Sequence, residues 1–280
     1  MSLSIPISCE FFPPKTEQGR EKLLSAHVAL CAYQPEFFSV TYGAGGSTQE
    51  RTINTVLELH QQGISTAPHI SCIGASKDKI IELLDLYKNH GINRVVALRG
   101  DLPSGMGATT GDFRYAADLV AFIRQHYQQQ FHIEVAAYPE MHPQAADFNA
   151  DIRNFIAKVN AGASSAITQY FYNPDAYSFF VDQVRKAGCD IDIVPGIMPI
   201  TNYTNLVRFS DGCGAEIPRW IKRKLEAYRD DVEGLQQFGA EVVANLCQTL
   251  INRGAPALHF YAMNQSEPVT KILQLIQSGQ

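Results

Sequence analysis

A single carboxylate, Glu10, lies inside the apolar run ISCEFF at residues 7 to 12, and two prolines follow this run directly. Loss of hydration raises the pKa of a carboxyl group, so a glutamate in such surroundings can keep its proton to near neutral pH. Such a group can act as a general acid. The competing interpretation is a partly exposed glutamate that pairs with a cation at a strand end, and position alone leaves both open.

A second candidate group is the triplet Arg-Gly-Asp at 99 to 101, which precedes a loop rich in glycine and proline. Arg99 offers a planar fork of N–H donors for a phosphate or a ring carbonyl. Gly100 lets the backbone approach a ligand closely, and Asp101 adds a negative charge beside it. An Arg/Asp ion pair at a barrel rim is an equally acceptable structural interpretation.

Flat side chains in AAYPEMHP at 136 to 143 suit a heterocyclic ligand, because Tyr138 and His142 can stack on it and hydrogen-bond to it. Taken alone, each is more often an ordinary rim residue, and His69 is by default a core histidine. The glycine-rich stretch at 43 to 48 resembles a dinucleotide fingerprint only superficially. It follows the second candidate strand, and Thr48 replaces the third glycine.

These side chains lie at or near the ends of short apolar runs, and eight such runs recur along the chain. They cover residues 7 to 12, 37 to 43, 66 to 72, 94 to 100, 133 to 140, 166 to 172, 192 to 199 and 257 to 264. Near-continuous hydrophobicity is what parallel strands covered by helices require. The eight runs are therefore candidate parallel strands.

Amphipathic segments lie between the runs. The segment from 48 to 63 places Ile53, Val56, Leu57 and His60 on one face and ends at Gly63; the segment from 76 to 91 begins at a potential N-cap, Ser76, and ends at Gly91. Alternation of strand and helix without a composition break predicts an α/β fold, a single (β/α)8 barrel of the TIM type over residues 1 to 280. The long stretch from 203 to 256 predicts extra helices between strands seven and eight.

The working residues of such barrels lie at the carboxyl ends of the strands and in the loops that follow. In this sequence those positions carry Glu10, Thr41, Tyr42, His69, Arg99, Asp101, Tyr138, Glu140, Gln169, Tyr261 and Asn264. If the barrel closes, they converge on one site.

Composition and charge argue against several classes of protein. With 45% hydrophobic and 18% charged residues the chain can form a large core, and a net charge of -5 without a lysine or arginine block argues against nucleic acid as a partner. No apolar window has the length of a membrane span and no secretory signal is visible, so we expect a cytoplasmic location. The six cysteines show no zinc-ligand spacing and predict reduced, mostly buried thiols.

Eight ordered segments together resemble the bacterial type of methylenetetrahydrofolate reductase: SCEFFPPK, FFSVTYGAGG, APHISCIG, VVALRGDLP, VAAYPEMHP, AITQYFY, PGIMPITN and HFYAMN. The resemblance implies a (β/α)8 barrel that holds FAD and reduces 5,10-methylenetetrahydrofolate to 5-methyltetrahydrofolate, supplying methyl groups for methionine synthesis. It also implies a ping-pong cycle, in which NADH or NADPH first reduces the flavin and leaves, and the folate then accepts the hydride.

The resemblance also implies roles for individual residues. Glu10 would protonate the folate so that its five-membered ring opens to an iminium, and Asp101 would stabilise that cation near the flavin and the pterin. Gln169 and Phe209 would contact the substrate. The implied flavin contacts are Thr41, Tyr42, Ala44, His69, Arg99, Gly100, Asp101, Tyr115, Ala116, Tyr138, His142, Ala145, Asp151, Asn154 and Lys158.

Three positions depart from the family pattern. Ala157 stands where an arginine helps to hold the nucleotide half of the flavin, Asn205 where a glutamine is found, and Gln265 where an arginine often binds substrate. They leave the chemistry intact but put the folate-tail and nicotinamide contacts in doubt.

Two alternatives remain: a zinc- or cobalamin-dependent methyltransferase barrel, and a folate-binding or partner-binding barrel without flavin. The first would need a thiolate cluster or a cobalamin module, and the sequence offers no such cluster. On the resemblance we expect NADH as the reductant, a homo-oligomer, and no control by S-adenosylmethionine.

Overall fold

The computed structural model describes residues 5–42, 46–100, 111–228 and 231–279. The strands in these ranges are β1 (Ile7–Phe11), β2 (Phe38–Val40), β3 (Thr66–Ser71), β4 (Arg94–Leu98), β5 (His132–Ala137), β6 (Ser165–Thr168), β7 (Asp192–Val194), β8 (Gly196–Ile197) and β9 (Leu258–Tyr261). The helices there are α1 (Glu17–Cys31), α2 (Gly46–His60), α3 (Lys77–Asn89), α4 (Ala116–Tyr127), α5 (Phe148–Asn160), α6 (Pro174–Lys186), α7 (Tyr203–Cys213), α8 (Arg219–Ala227), α9 (Val232–Asn252) and α10 (Glu267–Ser278).

The strands form one parallel sheet in the order β7-β6-β5-β4-β3-β2-β1-β9-β8. Its two outer members, β7 and β8, are consecutive in the chain and are separated only by Pro195. The sheet therefore curves into a nearly closed barrel with helices outside it. This confirms the predicted α/β barrel of the TIM type.

The seventh predicted strand, residues 192 to 199, is wrong in detail because Pro195 divides it into β7 and β8. Proline has no N–H and cannot donate to a strand ladder. Its carbonyl oxygen still accepts a hydrogen bond of 3.0 Å from the His259 N–H. The break lets β7 pair with β6 while β8 pairs with β9, so one interrupted strand joins both sides of the barrel.

Buried apolar side chains separate into two clusters, because successive side chains of a strand point to opposite faces. The larger cluster lies between strands and helices and includes Cys9 and Phe11 of β1. The smaller cluster lies inside the barrel and consists of Phe37, Ala67, Val96 and Ile167. Ser8 and Glu10 alternate with Cys9 and Phe11, so they share the inner face of β1.

The amino end of the barrel interior is filled by paired charges. Glu134, which is 2% exposed, lies 2.5 Å from Arg94 Nη1 and 3.1 Å from His132 Nε2. Ser165 Oγ donates a hydrogen bond to the same carboxylate. Burial favours a raised pKa for Glu134, but these partners outweigh burial and lower its pKa. This end of the barrel is accordingly built for stability.

Helix α2 begins at Gly46, and its buried residues include Thr52, Thr55, Val56 and Leu59. The predicted face is confirmed at Val56, which is buried, and at Ile53 and Leu57, which are partly buried and pack against the core; Thr52, Thr55 and Leu59 widen it. The predicted cap of α3 is confirmed, since Ser76 accepts a hydrogen bond from the Lys79 N–H. Gly91 then leaves the helix with a φ of +80°, in the region that favours glycine.

Helices α7, α8 and α9 occupy the stretch between β8 and β9, which confirms the predicted extra helices. Helix α9 packs against both α8 and α10. In the described ranges, no helix combines the length and apolar character needed to cross a membrane. Of the six cysteines, Cys9, Cys72, Cys189 and Cys247 are buried, as predicted for most of them.

Candidate active site

Glu10 is the fourth residue of β1, and polar groups from three other strands surround its carboxylate. His69 Nε2 of β3 lies 3.1 Å from Glu10 Oε2, and His259 Nε2 of β9 lies 3.6 Å from the same oxygen. Ser39 Oγ of β2 donates a hydrogen bond of 3.3 Å to it. Neither Nε2 atom is aligned for a hydrogen bond with a group in the described part of the chain, so attraction by the histidines is mainly electrostatic.

The expectation of a raised pKa for Glu10 is wrong. Burial does favour a raised pKa, but electrostatic attraction to His69 and the polar contacts with His259 and His69 outweigh burial. Together they lower the pKa of Glu10 from its usual 4.5 to about 2. The alternative interpretation, a glutamate paired with a cation, describes the resting carboxylate better. Sequence could not reveal this because the two histidines lie 59 and 249 residues away.

Asn264 fixes the chain just beyond Glu10. Its side-chain oxygen accepts a 2.9 Å hydrogen bond from the Phe12 N–H, and its amide donates a 2.8 Å bond to the Phe12 carbonyl. Both Met263 and Asn264 have positive φ, at 51° and 55°. Asparagine tolerates this conformation better than most residues. The turn after β9 therefore holds the carboxyl end of β1 by both of its backbone polar groups.

Tyr261 connects Glu10 to the next part of the site. Its ring lies between His259, at a centroid distance of 5.4 Å, and Tyr170, at 6.4 Å. Its hydroxyl donates a 2.7 Å hydrogen bond to the Thr168 carbonyl. Burial, followed by the charge of Glu10, raises its pKa well above the usual value. Tyr261 is thus a neutral wall next to the carboxylate.

Gln169 and Tyr138 line a small, shallow surface cavity together with Pro139, Glu140, Met141, Tyr170, Cys213, Gly214 and Ala215. Gln169 Oε1 accepts a hydrogen bond from the Tyr170 N–H, and Glu140 accepts one of 2.8 Å from the Glu216 N–H. The second bond joins the loop after β5 to the segment after α7. The cavity therefore lies at the carboxyl ends of β5 and β6, as predicted for the two residues.

Tyr138 and His142 pack edge to face with ring centroids 4.4 Å apart. Asp151, which is buried in the first turn of α5, accepts a hydrogen bond from the His142 N–H. Ala145 N–H donates to the His142 carbonyl. Asp151 therefore supports the loop that presents the two rings, and the three predicted positions His142, Ala145 and Asp151 belong to one structural unit.

Gly100 adopts a φ of +85°, and a Cβ at this position would lie 1.9 Å from Ser71 Oγ. Packing against Ser71 alone therefore requires a glycine here. Arg99 Nη2 donates a 2.5 Å hydrogen bond to Gln144 Oε1, which holds the guanidinium toward the loop after β5. Asp101, the third member of the triplet, lies outside the described residues, as does Ala44.

Lys158 does not behave as a solvated lysine of a helix surface. Its amine donates a hydrogen bond to the Ala136 carbonyl of β5. Burial lowers its pKa from 10.5 to about 8, although the charge of Asp151 opposes that change. Asn154, a predicted flavin contact on α5, is exposed. Ala157, one of the three positions that depart from the family pattern, is exposed as well.

The other predicted positions are spread around the same end of the barrel. Thr41 N–H donates to the Phe11 carbonyl, and burial raises the pKa of the neighbouring Tyr42. Tyr115 is 51% exposed and precedes Ala116 at the start of α4. Phe209 is half-buried on α7. Asn205 and Gln265, the other two departures, are exposed.

The structure brings Glu10 and His69 into contact and places Tyr138 with Gln169, while Tyr115, Asn154 and Phe209 lie on flanking helices. His259, Ser8 and Ser39 also surround Glu10 but were not predicted from the sequence. One signal was available: His259 and Ser8 lie two residues before Tyr261 and Glu10, and strand alternation puts such pairs on one face. The contact of His259 and His69 with Glu10 across the barrel could not be predicted from strand alternation.

Comparison with known proteins gives consistent matches. The chain matches the family model of methylenetetrahydrofolate reductase over residues 2–277. Proteins named 5,10-methylenetetrahydrofolate reductase from Salmonella typhimurium and Escherichia coli are each 38% identical over 264 residues, covering 94% of this chain and 88% of theirs. A solved structure from Clostridium thermocellum, of a protein that binds two copies of 5-methyl-5,6,7,8-tetrahydrofolic acid, has a TM-score of 0.66 at 17% identity, covering 98% of this chain and 95% of its own. That structural likeness supports the fold alone.

Proposed function

The chain belongs to the methylenetetrahydrofolate reductase family, and we propose on that premise that it reduces 5,10-methylenetetrahydrofolate to 5-methyltetrahydrofolate. The observation that carries the proposal is the carboxylate of Glu10 at the carboxyl end of β1, with His69 and His259 beside it. Reduction of a bridged methylene group needs a proton donor to open the ring, and Glu10 is the donor that we propose. Because its partners lower its pKa to about 2, Glu10 must take up a proton in the substrate complex before it can act as the acid.

The proposed cofactor is FAD, reduced by NADH or NADPH in a ping-pong cycle. The donor set suits an anionic dinucleotide, because Arg99 and Lys158 supply cations and Tyr115 supplies an exposed hydroxyl at the amino end of α4. Tyr138 and His142 offer flat surfaces for a ring system. When bound, the flavin supplies the hydride. Thr41, Tyr42, Ala44, His69, Gly100, Asp101, Ala116, Ala145, Asp151 and Asn154 complete the proposed cofactor contacts.

Glu10 has the central role in the proposed chemistry. It transfers a proton from Oε2 to the folate, so that the five-membered ring opens to an iminium cation that accepts the hydride. Tyr261 lies next to Glu10 and limits access of water to the carboxylate from its side. Asp101 is proposed to stabilise the cation by its negative charge.

Gln169 and Phe209 are the proposed substrate contacts. Gln169 lines the small surface cavity next to Tyr138 and can hydrogen-bond to a polar ring edge. Phe209 offers an apolar surface on α7. The proposal extends to supply of methyl groups for methionine synthesis, a cytoplasmic location and a homo-oligomer, for which the resemblance is the support.

Anaerobic spectroscopy tests this function directly. We expect the purified protein to be yellow, its flavin absorption to bleach when NADH is added, and the colour to return when methylenetetrahydrofolate is supplied. A protein that is colourless and takes up no FAD would overturn the flavoenzyme proposal. A flavin that NADH bleaches but methylenetetrahydrofolate does not reoxidise would overturn the proposed substrate.

A further inference from the structure

Glu140 lies just after β5, in a turn to which the proposed function assigns no role. Pro139 and Glu140 are the central residues of this turn, and the Met141 N–H closes it with a 3.2 Å hydrogen bond to the Tyr138 carbonyl. Proline sets its own φ and favours a turn at this point. The turn places the half-buried Glu140 side chain on the rim, where Tyr138 and Gln169 line the same small surface cavity.

The Glu140 carboxylate reaches across the rim to the segment that follows α7. Its Oε2 accepts a 2.8 Å hydrogen bond from the Glu216 N–H, 76 residues further along the chain. Pro143, in the same loop as Glu140, packs against Gly214, on which a Cβ would lie 3.0 Å from Pro143 Cγ. Gly214 ends α7 with a φ of +77°, a conformation that favours glycine. The loop after β5 therefore holds residues 214 to 216 at two points.

The last turn of α7 is also attached to the residues that follow β6. Ser210 Oγ and the Tyr170 hydroxyl share a buried hydrogen bond of 3.0 Å. Gln169, the neighbour of Tyr170, accepts a hydrogen bond from the Tyr170 N–H through its side-chain oxygen. Phe209, the neighbour of Ser210, is the proposed substrate contact on α7. The two proposed substrate contacts, Gln169 and Phe209, are thus each one residue away from this bond.

The stability of the fold does not explain a carboxylate at position 140. Burial and the nearby Glu216 carboxylate raise the pKa of Glu140, although the bond from the Glu216 N–H opposes that change. An acid whose pKa is raised in the folded state destabilises the protein when it is ionised at neutral pH. A carboxylate that is retained under this penalty, in a contact that joins two loops of the rim, points to a role in function.

We infer that Glu140 is a positioning residue, which fixes the segment after α7 across the rim so that Phe209 is presented to the folate bound at Gln169. This inference rests on the proposed reductase function. In this role Glu140 contacts neither the reacting atoms nor the transferred proton. It strengthens folate binding, because α7 is already held in place and less ordering of the protein is needed when the folate binds.

The test follows reoxidation of the NADH-reduced flavin over a range of methylenetetrahydrofolate concentrations. Glu140→Ala removes the acceptor, so the folate concentration for half-maximal rate should rise roughly tenfold while the maximal rate stays within about threefold. Glu140→Gln keeps an oxygen that can accept from the Glu216 N–H, and it should bind folate within about threefold of wild type. Asp231→Ala is the matched control, because it removes a carboxylate bond of the same 2.8 Å length to the Gly234 N–H at the start of α9. It should leave folate binding unchanged.

A double-mutant comparison separates this role from a general structural one. If Glu140 acts by placing Phe209, Glu140→Ala should weaken folate binding by no more than about threefold in a Phe209→Ala background. Hydrogen exchange needs no folate: the backbone of residues 214 to 217 should exchange faster in Glu140→Ala and at the wild-type rate in Glu140→Gln. Ser210→Ala removes the other attachment of α7, and it should weaken folate binding in the same way if Glu140→Ala does not fold.

Failure of the proposed function and failure of the positioning role give different results. A wild-type protein whose reduced flavin is not reoxidised by methylenetetrahydrofolate would overturn the proposed function. In a wild-type protein that does react, unchanged folate binding or unchanged hydrogen exchange in Glu140→Ala would overturn the role of Glu140. A tenfold effect that persists in the Phe209→Ala background would overturn it as well, because Glu140 would then not act through Phe209.

Discussion

The chemistry of a carboxylate in this barrel depends on its partners more than on its burial. Glu10 and Glu134 are both screened from water, yet neighbouring cations lower the pKa of each. Lys158 lacks a close anion strong enough to offset burial, and its pKa falls to about 8. Burial disfavours the charged form in all three cases, and the local partner decides whether the charge survives.

Acid should remove the stability that Glu10 contributes. Its pKa in the folded protein, about 2, lies below the usual 4.5, so the stabilisation is complete above pH 4.5 and is lost as pH falls toward 2. Urea unfolding at pH 5 and pH 3 should show wild type losing on the order of 2 kcal/mol more than Glu10→Gln between these values. Parallel losses in the two proteins would mean that the histidines do not stabilise the carboxylate.

The buried charge of Lys158, a proposed cofactor contact, should weaken the fold at neutral pH. Because folding lowers the pKa of Lys158 from 10.5 to about 8, its charged form destabilises the folded protein fully below pH 8. This destabilisation disappears as pH rises from about 8 to 10.5. We expect Lys158→Met to raise the unfolding temperature at pH 7, with a smaller gain at pH 10.

The same variant should bind FAD roughly tenfold more weakly, because it loses a charge-assisted hydrogen bond. Lys186→Met, which changes an exposed lysine on α6, is the control and should alter neither quantity. Unchanged FAD affinity in Lys158→Met would remove this residue from the proposed cofactor site.

At the scale of elements, local breaks in regular structure place the functional groups. Pro195 divides one strand so that it can pair on both sides of the barrel. Met263 and Asn264 leave β9 with positive φ, which brings the Asn264 amide onto Phe12. Each break is local in sequence but acts on a neighbour that is distant in the chain.

Asn264→Ala should destabilise the protein by about 1–3 kcal/mol, because it leaves the Phe12 N–H and carbonyl without their partner and puts a less tolerant residue at positive φ. Asn264→Gly separates the two effects, since glycine accepts this conformation but makes no side-chain bond. Urea unfolding should rank wild type above the glycine variant and the glycine variant above alanine. An alanine variant as stable as wild type would show that this contact does not fix the end of β1.

Sequence patterns predicted the strands well because parallel strands covered by helices are apolar on both faces. They located Glu10, Tyr261 and Asn264 because strand ends in a barrel are functional positions. They could not reveal that His69 and His259 meet at one oxygen of Glu10, since that depends on barrel closure and strand register. The buried face of α2 is wider than predicted, because Thr52 and Thr55 are buried although their residue type does not predict it.

At the scale of the whole molecule, the two ends of the barrel interior have different roles. The amino end holds Glu134, Arg94 and His132 in a closed set of ion pairs. The carboxyl end holds Glu10 with partners that leave it partly accessible. The proposed catalytic function at the carboxyl end, with a closed set of ion pairs at the amino end, agrees with the arrangement expected of this architecture.

The most direct test of the account is the pair of half-reactions of Glu10→Gln, followed anaerobically by flavin absorbance. NADH should reduce the flavin at a rate within about twofold of wild type, while reoxidation by methylenetetrahydrofolate should slow by roughly a hundredfold or more, the scale of lost general acid catalysis. Glu58→Gln, on the outer helix α2 beside Arg20, is the control and should leave both rates intact. Equal loss of both half-reactions in Glu10→Gln would contradict the account, because Glu10 would then be a structural residue.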